Sequence, residues 1–258
     1  MADPKSLLSR LDSIGDSLSQ THQCHALLGL GSAGIETDRL DAYSDLDFFV
    51  IAKKGCKQCL IDDLDWLSRI GDLDYAFRNT LDGYKVLYKD GIFCEFAVFE
   101  PQELAQISFP AGRIVWQEEG FDSSICQPSP SKMSVPEPNP DVEWHIGEAL
   151  TNLYVGVCRE RRGEKLSAMR FIQHFALDRL IDVARVQDKP TAVIADPFVA
   201  DRRIEFRFPS FAVQLGEFAQ GYHRNVESAL AQLDFLDKHF DINHSMAKEI
   251  RRLCFFED

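Results

Sequence analysis

The chain has 258 residues, 45% of them apolar and 27% charged, which allows a sizeable core and excludes general disorder. Its 28 Lys and Arg against 41 Asp and Glu give a net charge of −13. That balance counts against a nucleic-acid binder, which needs a basic footprint to displace counterions, and against an anionic membrane surface.

From the N-terminus, Ser6 to Leu18 carries apolar residues at 7, 8, 11, 14 and 18, a helical spacing. His25 to Leu30 then reads as a short strand, and Leu46 to Ala52, rich in aromatic and β-branched residues, as a second. Cys59 to Ile70 reads as a helix, with Leu60, Leu64, Leu67 and Ile70 at one-turn spacing. Tyr84–Tyr88 and Ile92–Phe99 read as a hairpin across Lys89-Asp90-Gly91, since a three-residue turn with glycine is good hairpin chemistry. This alternation predicts an α/β (α+β) class, with a small mixed-sheet domain over residues 1–126.

Residues 127–141 form a Pro-rich connector, because five of the eleven prolines fall between 128 and 140. Beyond it the period turns helical. Trp144, Ala149, Leu150, Leu153, Tyr154 and Val157 can share a face, and a second helix runs from about Glu164 to Val186. Asp196 to Pro209 reads as an irregular crossing. Phe211–Phe218, Val226–Phe240 and Met246–Phe255 complete an α-helical C-terminal domain over 142–258.

The segment that carries chemistry is Leu30-Gly31-Ser32, twelve residues, and then Asp45-Leu46-Asp47-Phe48. Glycine permits a tight turn and close approach of backbone amides to a ligand. Successive amides there form a concavity for phosphate, to which the Ser32 hydroxyl adds a donor. Asp45 and Asp47 lie two apart on an expected strand, so both carboxylates project from one face and offer hard oxygens to Mg²⁺. Glu95 is the only charge in Ile92–Phe99, and its face along that strand, Phe93, Ala97 and Phe99, is otherwise apolar. A charge there is costly unless it is paired or bound to a metal. Asp74, Asp90 and Glu100 are weaker rivals, at turns or strand ends. Residues 1–125 hold 21 of the 41 acids and only 11 of the 28 bases, so most of the negative charge lies in this half.

Gly-Ser, a spacer, Asp-x-Asp on a strand and a third acid on a later strand resemble the nucleotidyltransferase superfamily of polymerase-β type. The matching motifs cover roughly residues 25–100. A catalytic sheet domain followed by helices is similar to antibiotic nucleotidyltransferases acting on lincosamides and aminoglycosides. The resemblance implies that Asp45 and Asp47 hold a metal-bound nucleoside triphosphate, most simply ATP with Mg²⁺. It implies that Glu95 completes the metal site and acts as general base, and that Gly31, Ser32 and Ser44 contact the nucleotide. The implied reaction moves a nucleoside monophosphate to a hydroxyl of a small molecule, with an antibiotic as the suggested class of acceptor. Modification of a protein, as in a toxin–antitoxin pair, and non-catalytic nucleotide binding on the same fold are the alternatives. Where many relatives carry Arg-Gly shortly after Gly-Ser, this chain has Ala33-Gly34-Ile35-Glu36, and Arg39 is its first nearby arginine.

Other features add less. Lys165, in the basic run Arg159–Lys165, is the expected phosphate contact from the second domain. Trp116, Trp144, Tyr154 and Phe171 read mainly as core residues, with an acceptor pocket as the rival use. Cys56 and Cys59 make half a zinc spacing with no second half. An odd count of seven cysteines and the lack of a signal-like N-terminus point to a reducing cytoplasm. A homodimer is a further expectation, since acceptor sites in such enzymes often lie at dimer contacts.

Overall fold

The computed structural model describes residues 3–128, 137–196 and 198–255. The chain divides into two compact units, one ending at Met133 and the other starting at Ser134. The expected Pro-rich connector falls largely on residues 129–136, which lie outside the described residues.

In the first unit, helix α1 (Pro4–Ser19) starts where Asp3 caps it. The Asp3 carboxylate accepts the Ser6 N–H at 2.8 Å, and Pro4 at the first helical position gives up an amide that would have no partner. Leu7, Leu11, Ile14 and Leu18 form its buried stripe. Six strands follow: β1 (Cys24–Gly29), β2 (Leu46–Ala52), β3 (Leu73–Arg78), β4 (Gly83–Tyr88), β5 (Phe93–Phe99) and β6 (Arg113–Gln117). They form one sheet in the order β3-β4-β5-β2-β1-β6. Only β2 and β5 pair in parallel; the other neighbours are antiparallel. The β4–β5 hairpin turns as expected at Lys89–Gly91, with Gly91 at φ +88.

Two strands, β3 and β6, were not legible in the sequence. The helix expected over Cys59–Ile70 is instead two short ones, α2 (Lys57–Asp62) and α3 (Asp65–Ser68). Asp63 breaks it: its backbone is extended and its carboxylate accepts the Asp65 N–H at 2.9 Å. A local side-chain bond of this kind competes with the helical ladder.

The alternation of β2 and β5 divides their side chains between two cores. Leu46, Phe48 and Val50 with Cys94, Phe96 and Val98 pack under α1, α2 and α3. Ile51, Phe49, Ala97 and Phe99 face the other way, under Leu104 of α4 (Pro101–Leu104), Phe109 and Cys126. This second cover lies over the late residues of β2 and β5. Towards the starts of both strands, the residues of the same face are only partly buried.

Among the described residues of the second unit, the regular structure is helical. Asp141 caps the long helix α5 (Val142–Arg161) by accepting the Trp144 N–H at 3.2 Å. The helix expected over 164–186 runs as α6 (Lys165–Arg170), a π-helical turn (Phe171–Ala176) and α7 (Leu177–Gln187). Wide turns of this kind leave carbonyls without their usual partner. Buried Gln232 answers one, donating to the Ile172 carbonyl at 2.9 Å and to that of Phe218 at 3.0 Å. Short helices α8 (Ile204–Arg207), α9 (Pro209–Ala212) and α10 (Leu215–Phe218) lead into α11 (Asn225–His239) and α12 (His244–Phe255). One apolar core, centred on Leu153, Ile172, Leu180 and Leu233, joins α5, the π-turn, α7 and α11.

Candidate active site

The site is built at the ends of three central strands. β1 runs out at Gly29, and the chain turns at once through Gly31–Ala33. Gly31 has φ +52, a left-handed conformation that a side chain would strain. Its position is also beside an acid: a Cβ there would stand 3.7 Å from Asp47 Oδ2. The Asp47 backbone carbonyl accepts the Leu30 N–H at 2.8 Å, so the turn is anchored to β2 at the acidic residue.

Asp47 lies directly opposite Glu95 in the parallel β2–β5 register. Directly paired residues share a face, so the two carboxylates stand on the same side of the sheet. On β4, Lys85 is opposite Glu95, and on β3 Phe77 is opposite Lys85. The result is a transverse row across four strands: Phe77, Lys85, Glu95, Asp47. Asp45 is one residue short of β2, in the loop rather than on the strand. The expectation that both aspartates sit at strand positions is corrected to that extent; the strand begins at Leu46, which is fully buried.

Lys85 Nζ is 2.9 Å from Glu95 Oε2, with the two side chains 39% and 40% exposed. Asn79 Nδ2 donates to Glu95 Oε1 at 3.2 Å. Both carboxylate oxygens are therefore engaged from the β3–β4 side. The bond and charge of Glu95, followed by the charges of Asp47 and Asp45, hold the Lys85 pKa above its ordinary value. Glu95 does not have the desolvated surroundings that its strand neighbours suggest. Its cross-strand neighbours are charged, and a single-strand pattern does not report them.

The remaining predicted residues fall as follows. Ser32 is in the Gly31–Ala33 turn and half-buried. Ser44 closes a turn with Asp41: its Oγ accepts the Asp41 N–H at 3.0 Å and lies 3.2 Å from Asp41 Oδ1. Arg39 is ion-paired with Glu36. Lys165 belongs to the second unit, where it is exposed and 3.8 Å from Glu160 Oε1. Trp116 packs against Gly15 of α1, where a Cβ would come within 2.9 Å. Trp144 lies under the Arg179 guanidinium, and Phe171 under that of Arg159. Tyr154 packs on the helical core. All seven cysteines are free, and Cys59 is exposed.

Lys85 and Asn79 were not singled out in the sequence, although the signal for Lys85 was present. The hairpin turn at 89–91 sets a register in which residues 85 and 95 face each other. Two exposed aromatics, Tyr75 and Phe77, continue this face at the sheet edge, their ring centroids 6.4 Å apart.

Asp45, Asp47 and Glu95 are the oxygen donors that suit Mg²⁺. Among the described residues, however, no group of three or more His, Cys, Asp or Glu side chains is gathered to hold a metal ion. Asp45 and Asp47 are the carboxylates that would hold one, Asp47 lying beside the Gly31 turn, and Glu95 is bonded to Lys85 and Asn79.

No family model and no curated protein matches the chain. Among solved structures, an aminoglycoside 6-adenyltransferase from Bacillus subtilis aligns with all of this chain and 94% of its own, at 11% identity and a TM-score of 0.33. Similarity at that level does not bear on activity. Among the described residues, no helix is long and apolar enough to cross a membrane.

Proposed function

We propose that the first unit is the catalytic domain of a metal-dependent nucleotidyltransferase that moves a nucleoside monophosphate from a triphosphate to a hydroxyl of a small molecule. The observation that carries this reading is the in-register pair of carboxylates, Asp47 and Glu95, on adjacent parallel strands beside the Gly31–Ser32 turn. Asp45 and Asp47 would hold Mg²⁺. When bound, the ion neutralises charge on the transferring phosphate. The acceptor oxygen bonds to the α-phosphorus, the bond to pyrophosphate breaks, and Glu95 takes the acceptor's proton. The amides of the Gly31 turn and the Ser32 hydroxyl would receive phosphate oxygens.

A second reading, a non-catalytic nucleotide-binding protein on this fold, is favoured by the engagement of Glu95 with Lys85 and Asn79. Two measurements separate them. In the first, acceptors are screened with labelled triphosphates and Mg²⁺, scoring pyrophosphate release. In the second, calorimetry compares wild type with Asp47→Asn. We expect the variant to fold normally and to lose Mg²⁺-dependent triphosphate binding, because asparagine keeps the shape and drops the charged ligand. Unchanged binding would remove Asp47 from the site. Binding without release of pyrophosphate for any acceptor would select the second reading.

A further inference from the structure

We propose that Lys85 is a tethered counter-ion of the acidic row, seated on Glu95 so that the ion pair sets how tightly the row takes a divalent cation. This rests on the reading of Asp45, Asp47 and Glu95 given above. Three carboxylates carry three negative charges, and strand register places Lys85 opposite one of them, Glu95, with Asp47 on the other side of Glu95. Its ammonium is 2.9 Å from Glu95 Oε2, and the charges of Asp47 and Asp45 act on it as well. Asn79 takes the other oxygen of Glu95 at 3.2 Å. With both oxygens turned to donors on the β3–β4 side, Glu95 is not free to swing towards Asp47. Among the described residues the three carboxylates are not gathered into one cluster. For Glu95 to join a cation held by the aspartates, the Lys85 pair must open.

The cost of opening is small enough to be regulated by what binds. Both partners are about two-fifths exposed, and ion pairs in such settings are weak. The anionic phosphates of a triphosphate are a natural second partner for the released ammonium. Lys85 is thus a positioning residue: it holds Glu95 on the β3–β4 side, and its ammonium is available to an anion when that pair opens.

The test titrates Mn²⁺ alone into the full-length chain and counts free ion by electron paramagnetic resonance. Thermal melts establish that each variant is folded. Lys85→Met should bind Mn²⁺ about tenfold more tightly than wild type. That is the size expected for bringing one further unit charge, the released Glu95 carboxylate, to within a few ångströms of a divalent ion in water-like surroundings. Lys85→Arg should restore wild-type affinity. The decisive comparison is Lys85→Met combined with Glu95→Gln, where the gain should vanish because no carboxylate remains to be released. An equal gain with Glu95→Gln present would show only a general charge effect and overturn the proposal. So would unchanged affinity in Lys85→Met, or no Mn²⁺ binding by either protein. Loss of triphosphate binding in Asp47→Asn together with unchanged Mn²⁺ affinity in Lys85→Met would leave the functional reading standing and remove this inference alone.

Discussion

At the scale of single residues, Glu95 is the most informative position. Read along its own strand, it is a lone charge among Phe93, Ala97 and Phe99. Read across the sheet, it is the middle of a charged row between Lys85 and Asp47. The difference changes the reason for expecting it to act as a base. Desolvation is not the source, since its side chain is 40% exposed. The support is placement: Glu95 stands directly opposite Asp47 on the same face of the sheet, where its carboxylate can take a proton once the Lys85 pair opens. Glu95→Gln should therefore keep most triphosphate affinity and lower the single-turnover rate by ~10²–10⁴, the usual share of general-base catalysis. Paired affinity and single-turnover measurements with an acceptor from the screen check this. A variant turning over at near wild-type rate would take Glu95 out of the mechanism. The identity of the acids was legible because Gly-Ser and Asp-x-Asp are local signals. Their partners were not, because Lys85 and Asn79 are chosen by strand pairing.

At the scale of elements, legibility follows burial. β2 is found at the bounds its composition suggests, Leu46–Ala52, because it is central and apolar. β3 was missed because it is an edge strand whose residues, apart from Leu73, are exposed on both faces, so no alternation marks it. β6 is five residues long and half-buried, too short and mixed to stand out. The seam between β4 and β5 depends on a residue that sequence reading passed over. A Cβ at Gly83 would come within 2.0 Å of the Phe96 carbonyl oxygen and 2.9 Å of the Ala97 Cα. Backbone atoms in the middle of a sheet have nowhere to move. Gly83→Ala should destabilise the chain by about 1–3 kcal/mol, the usual cost of overpacking. It should also disturb the pairing of Lys85 with Glu95 two positions away. A urea midpoint equal to wild type would show that the strands part without cost.

At the scale of the whole molecule, the apolar cores lie within the units, on both faces of the sheet in the first and among the helices in the second, and the free cysteines report on both units. Burial pushes Cys24 up to about 11, Cys94 to about 12 and Cys126 to about 11 in the first unit, and Cys254 to about 11 in the second. Only the thiolate reacts, so these four should resist a thiol reagent at pH 8 while exposed Cys59 labels rapidly. Labelling followed by mass spectrometry of peptides reads each position. Fast modification of Cys94, which lies on the covered face of β5, would contradict the packing of the sheet that carries the acids. The parallel pairing of β2 with β5 has a consequence for the order of events in folding. The β4–β5 hairpin is local and closes within microseconds, and β1 meets β2 across one loop. Asp47 and Glu95 meet only when those two pieces dock, across all the chain between them. Long-range contacts of this kind form late. A nascent chain thus carries either acid alone, harmlessly solvated, until the sheet is nearly complete, and the site and the fold mature in the same step.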